Sequence, residues 1–193
     1  MYKLCKTEQS AQRQRQMEQG LLEYMRLHRY EEITISDLCA FLQIPRKSFY
    51  RYFDSKDGAL FALIDHTFME YEGFQPSFPD GKTRSMESDL ESFFLFWESR
   101  RAVLDVLEKS GLSGILLERA IDHVKTMSSI GRFLPNESEH MKSYVSNFAI
   151  SGIMIMMVNW HHEDFKESPA EMAQIATRLL SKPLFPNIRE LLK

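Results

Sequence analysis

The sequence predicts an all-α protein, and three observations predict it. Apolar residues recur at a 3.6-residue period from Met17 onward, no window sustains the Val/Ile/Thr alternation of a strand, and glycine and proline mark the breaks. The first helix is expected over about 8–28, with Met17, Leu21 and Met25 on one face. After a turn at 29–33, Thr34 is placed to cap a second helix, with Asp37 three residues on completing a capping box and Ile35, Leu38 and Leu42 forming the buried stripe. Gln43, Ile44 and Pro45 break that pattern, and a short third helix follows over about 46–53. Asp54 and Ser55 offer the next N-cap, for a longer helix reaching about Phe74.

Residues 75–83, QPSFPDGKT, carry two prolines and a glycine and are the best domain boundary, dividing a head (1–74) from a body (75–193). Helices are expected in the body near 85–100, 102–109, 113–128, 137–162 and 169–181. The clearest start is Ser168-Pro169-Ala170-Glu171, with an N-cap serine, proline in the first helical position and glutamate in the third.

Composition narrows the classes. The 193 residues are 44% hydrophobic and 26% charged, which describes a globular chain with a real core. Two cysteines, Cys5 and Cys39, without CxxC spacing make neither a disulfide framework nor a zinc site, so a reducing cytoplasmic setting is expected. The N-terminal stretch lacks the apolar segment of a secretory signal, and the longest apolar run, 148–158, is shorter than a bilayer span, so no membrane partner is expected. The net charge of −3 is uneven. Residues 1–56 hold ten Lys/Arg against seven Asp/Glu, a net of +3, and the remainder holds fourteen against twenty, a net of −6. A basic head on an acidic body points to a polyanion partner for the head.

The pair of short helices over 34–53, joined by a three-residue turn, has the layout of a helix-turn-helix DNA reader. On the third helix, at about 100° per residue, Phe49 and Phe53 share one side while Lys47 and Arg51 point the other way. Arg46 and Tyr50 flank the basic face on one side, Ser48 and Tyr52 on the other. Such side chains bond phosphate oxygens and base edges, and none is acidic.

The stretch T34-I-S-D-L-C-A-F-L-Q-I-P-R-K-S-F-Y-R-Y-F-D-S-K56, with Asp57 and Leu60-Phe61 after it, resembles the DNA-binding region of the tetracycline-repressor-like (TetR) family of transcriptional regulators. The resemblance implies an all-helical homodimer whose heads bind a palindromic operator in double-stranded DNA and whose body takes a ligand or pairs the subunits. By position it implies that Thr34, Tyr50, Tyr52 and Lys56 touch the DNA backbone, and that Arg46, Lys47, Ser48 and Arg51 lie in or beside the major groove. Glycine often stands in that family where this chain has Gln43 and Arg29; a left-handed Gln43 costs about 1 kcal/mol or forces another turn.

In the body, Phe148…Gly152…Trp160 followed by the 168–173 segment is similar to the closing helices of some members, which pair into a four-helix interface. From Tyr144 to Trp160 apolar residues point in nearly every direction, and Met172, Ile175, Ala176, Leu179 and Leu180 form a further stripe. The expected dimer interface therefore includes Phe148, Gly152, Met172, Ile175, Ala176 and Leu179. Phe93, Phe96 and Trp97, with Met127, Met154 and Met157 and with His123 as a polar handle, are the candidate pocket for a small apolar or aromatic ligand.

Enzymatic signatures are missing: there is no HExxH, GxSxG or GxGxxG, and no strand precedes Gly111-Leu112-Ser113-Gly114. The chain is expected not to be an enzyme and to need no cofactor. His161-His162-Glu163-Asp164 reads as a solvated helix end and not as a metal site. The competing function is a helical module whose head docks a protein partner.

Overall fold

The computed structural model describes residues 1–74, 85–126 and 138–181, and within them it is all-α. The helices are α1 (Glu8–Leu27), α2 (Ile35–Phe41), α3 (Arg46–Tyr50), α4 (Lys56–Gly73), α5 (Met86–Ser99), α6 (Arg101–Lys109), α7 (Ser113–Thr126), α8 (Glu139–His162) and α9 (Pro169–Ser181). A short 3₁₀ turn at Tyr30–Glu32 joins α1 to α2.

The helix starts are chemically explicit. Ser168 and Glu171 form a reciprocal box, with Ser168 N–H donating to Glu171 Oε2 (2.8 Å) and Glu171 N–H donating to Ser168 Oγ (3.3 Å). The Ser168 N–H, and after it the Ser168 hydroxyl (2.8 Å), donate to the carboxylate and hold it below its usual range. At Thr34 only half of the expected box forms. Asp37 N–H donates to Thr34 Oγ1 (3.1 Å), but the Asp37 carboxylate takes the Thr34 hydroxyl (2.6 Å) and not the backbone N–H. Aspartate is one methylene shorter than the glutamate usual at that place. Ser85 and Ser88 make a box that the sequence reading did not foresee.

Three helix ends share one hydrogen-bond pattern. After α6, Leu112 N–H reaches Leu107 O and Gly111 N–H reaches Glu108 O, with Gly111 at φ +67. After α2, Ile44 N–H reaches Cys39 O and Gln43 N–H reaches Ala40 O, with Gln43 at φ +53. After α8, Phe165 N–H reaches Trp160 O and Asp164 N–H reaches His161 O, with Asp164 at φ +59. Each is a Schellman end, and only the first uses the residue that takes a left-handed conformation freely. The turn after α2 is thus left-handed without glycine, and Ile44 closes it against the head.

Core packing runs through both parts. In the head, α1 lies on α4 and α2 on α1, where Gly20 matters: a Cβ there would stand 2.0 Å from Leu42 Cδ2. In the body, α5 packs mainly on α9 and α7 on α8. Phe94 meets the Trp160 ring edge-on at 5.4 Å, tying α5 to α8. α4 bridges the two parts by packing on α1 and α7, and α6 also reaches α1, where Lys109 Nζ donates to Arg26 O (2.7 Å).

Buried charges at this junction are partnered, as burial requires. Glu18 accepts from His66 Nδ1 (2.9 Å), and Arg119 of α7 donates through Nε to Asp65 of α4 (2.6 Å). Asp65 also accepts the Tyr2 hydroxyl (2.8 Å). Burial, with that bond second, pushes the Tyr2 phenol up to about 12. At the far end of α8, both ring nitrogens of His161 face carboxylates of α6, Asp105 (2.7 Å) and Glu108 (2.8 Å).

Candidate nucleic-acid interface

The third helix is short because Arg51 and Tyr52 turn toward the Ser55 cap of α4 after a single full turn. Phe49 and Phe53 are fully buried with ring centroids 5.1 Å apart. Each such ring contributes about 1.5–3 kcal/mol of burial, enough to fix the roll of α3 about its axis. Lys47 and Arg51 are consequently outward and exposed, and neither has an ion-pair partner among the described residues. Arg46 lies beside them and donates from Nη2 to the Tyr50 hydroxyl (3.4 Å), its guanidinium 5.9 Å from the Tyr50 ring centroid. Tyr50 is exposed and Ser48 half-buried. The arrangement can offer guanidinium, ammonium and hydroxyl donors together, with no carboxylate on α3 itself.

Two expected contacts sit elsewhere. Tyr52 is 6% exposed, because the chain has already left the helix at Arg51 and the 100° spacing no longer sets its direction. The Lys56 ammonium is spent inside the fold, donating to Tyr30 O (2.6 Å) and Ile33 O (3.0 Å) and lying 4.4 Å from the Tyr30 ring centroid. Beside it Tyr30 donates its hydroxyl to Asp57 (2.5 Å), and burial first, then that bond, raises the phenol well above its ordinary value. Lys56 and Tyr52 therefore hold the frame. Thr34 remains exposed at the start of α2.

The N-terminal segment is a component that the sequence reading missed. Tyr2 pairs antiparallel with Phe53, Lys3 N–H donates to Tyr52 O (2.9 Å), and Lys3 Nζ donates to Tyr50 O (3.1 Å). This segment braces the C-terminal end of α3, and no helical period could reveal a lone extended pairing.

Residues 104–182 match the TetR-type family described as "Transcriptional regulator C-terminal region". Over that stretch, less than half of the chain, the protein is similar to the TetR-like transcriptional regulators. Two solved structures share the fold of this regulator. "Dihydroxyacetone kinase operon activator DhaS" is 14% identical, with 86% of this chain and 93% of that chain covered at a TM-score of 0.56. The fatty acid degradation regulator FadR from Bacillus halodurans is 13% identical, with 89% and 95% covered at 0.56. No curated protein matches the sequence.

In the regulator's body, Phe96 and Trp97 are buried, Phe93 is half-buried, and Phe68, Tyr71 and Phe74 complete an aromatic cluster around them. Trp97 Nε1 is buried there without a hydrogen-bond partner among the described residues. Met154 and Met157 are buried on α8, and His123 stacks on Phe68 (5.4 Å) and pairs with Glu72 (3.1 Å). Met127 lies outside the described residues.

The regulator's α8 is 24 residues long and apolar enough, by length and composition, to cross a membrane, which the 148–158 run alone did not suggest. Its buried side is Met154, Met157, Trp160 and His161, and on the opposite side Tyr144, Val145, Phe148, Gly152 and Ile155 are exposed, Phe148 at 70%. Ile175, Leu179 and Leu180 of α9 are exposed as well. Met172 and Ala176 do not belong to that set: they are buried within the protomer, where α9 packs on α5, so the expected α9 stripe divides in two.

Proposed function

We propose that this regulator is a homodimer that reads a palindromic operator with two copies of α3. The observation that carries the reading is the pinned helix: Phe49 and Phe53 inward, Lys47 and Arg51 outward without counter-charges among the described residues. Arg46, Ser48 and Tyr50 extend the same surface, and Thr34 at the start of α2 faces the adjoining backbone. Guanidinium forks suit guanine edges, and the remaining donors suit phosphates.

The second copy seats on Phe148, Gly152, Ile155, Ile175 and Leu179, an apolar face that a lone protomer leaves in water. Two heads about 34–36 Å apart then meet one face of the duplex. The aromatic cluster of Phe93, Phe96 and Trp97, with its unpartnered indole N–H, supports an apolar ligand that brings a hydrogen-bond acceptor. Such a ligand acts by favouring one spacing of the heads. Repression is the reading proposed, since occupancy of a promoter is sufficient for it, in a cytoplasmic protein whose action is binding and not catalysis.

Selection of bound sequences from random duplex DNA, followed by anisotropy titration of the winner over a range of salt, tests this. Recovery of a palindrome and a steep linear fall of log affinity with log salt are the expected results. Recovery of no sequence, or a flat salt response, overturns the reading in favour of a head that docks protein. Transcription from a promoter overlapping the selected palindrome should fall when the protein is added.

A further inference from the structure

The first helix carries a polar stripe that the helix-turn-helix reading leaves unused. Gln9, Gln12, Arg13 and Gln16 are all exposed and fall within an arc of about 100° on α1, with no carboxylate among them. The stripe ends at Gly20, where Leu42 of the α2–α3 turn crosses the helix. Just before that crossing, Arg13, Gln16 and Met17 line a groove of about 360 Å³, whose other wall is Leu42, Ile44, Pro45 and Ser48. One side of the groove is therefore α1, and the other is the turn and the opening of the recognition helix.

Charge separates this side of α1 from the adjoining one. Arg15 is already matched, lying 3.8 Å from Glu18 and 3.5 Å from Glu70, and Arg26 lies 3.4 Å from Glu23. Arg13 has no such partner among the described residues, and neither do Lys47 and Arg51. Matched cations hold the fold together, whereas an unmatched guanidinium beside a hydroxyl and a carboxamide, in a groove without acid, complements an external anion.

We infer that the groove between α1 and the α2–α3 turn is a second DNA contact, in which Arg13 and Gln16 of α1 and Ser48 of α3 grip one phosphodiester of the strand flanking the major groove. This rests on the reading of α3 as the recognition helix and extends the footprint to a helix outside the helix-turn-helix. Ser48 belongs to both parts, so the phosphate seat and the base-reading surface are fixed relative to one another. Because a phosphodiester is the same at every step, the seat sets register and affinity and not sequence.

The test compares wild type, Arg13→Ala, Arg13→Lys and the Lys47→Ala/Arg51→Ala double variant on two duplexes, the selected operator and a scrambled one of equal length. Anisotropy titrations at several salt concentrations are the readout. Arg13→Ala should weaken both duplexes alike, by about tenfold, the factor that one charge-assisted hydrogen bond supplies. It should make the log–log salt slope shallower by about 1 per head, while Arg13→Lys restores the slope. Circular dichroism melts matching wild type show that the loss is not unfolding. Unchanged affinity and slope in Arg13→Ala, beside a wild type that binds steeply, overturns the groove and leaves α3 standing. A loss confined to the selected duplex also overturns it, since Arg13 then reads a base. If wild type itself shows no salt-dependent DNA binding, it is the recognition-helix reading that has failed.

Discussion

α3 and α8 both expose what a folded chain ordinarily covers, and they do so in opposite chemistries. α3 is five residues long, its roll set by the buried rings of Phe49 and of Phe53 just beyond it, and with its cap residue Arg51 it turns to solvent cations that have no counter-charge among the described residues. α8 is twenty-four residues long, held by Met154, Met157, Trp160 and a doubly bonded His161, and turns phenylalanine and isoleucine outward. On the proposed function, the contrast is one between two different associations of one chain. An unmatched cation is satisfied by an anion and answers to salt. A bare apolar face is satisfied by another apolar face and answers to concentration.

Phe148→Asp is the most forceful way to break the comparison. A carboxylate facing its own copy across a two-fold axis should split the assembly, with light scattering giving 22.7 kDa instead of twice that. Operator affinity should drop with it. A particle of 22.7 kDa in the wild type would remove the apolar half of the contrast altogether.

Phe49→Ala attacks the support of α3. Removing a fully buried ring should cost about 3–5 kcal/mol in chemical denaturation, with DNA binding lost in step. By contrast, Lys47→Ala with Arg51→Ala should leave stability and mass alone and lower operator affinity about a hundredfold, the product of two charge-assisted contacts.

Alkali sharpens the contrast from the side of the brace. The Tyr2 phenol is raised from 10 to about 12, so the folded chain favours its protonated form. The stability this gives is fully present below about pH 10 and is lost as pH climbs toward 12. Thermal melts across that interval should decline less steeply in Tyr2→Phe than in wild type. The smallest effect belongs to Gln43→Gly, which relieves a left-handed backbone and should stabilise by no more than about 0.5 kcal/mol after the added freedom of the unfolded chain is subtracted. Gly111→Ala, at the equivalent point after α6, should destabilise.

The order and approximate ends of the helices were legible because each rests on local signals: a period, a cap, a proline. The outward placement of Lys47 and Arg51 was legible for the same reason, since five residues separate Lys47 from Arg51 inclusive and the phenylalanines fix the roll. What a face is covered by was not. The α9 stripe announced that Met172, Ile175, Ala176 and Leu179 needed apolar company, yet only the packing on α5 divides it into an inner and an outer half. Tyr52 and Lys56 followed the motif in sequence, but one lies past the end of its helix and the other answers carbonyls more than twenty residues away. Tyr2 and Lys3 gave no signal, because their partners lie some fifty residues on.

Asp65 is where several of these threads are knotted. Its two oxygens are shared by a phenol from the stretch that braces α3 and a guanidinium from the body. Withdrawing Arg119 would leave a sheltered negative charge leaning on a neutral hydroxyl alone, and the tyrosine would feel the change at once. The seating of α7 and the seating of the N-terminal brace therefore meet at a single side chain.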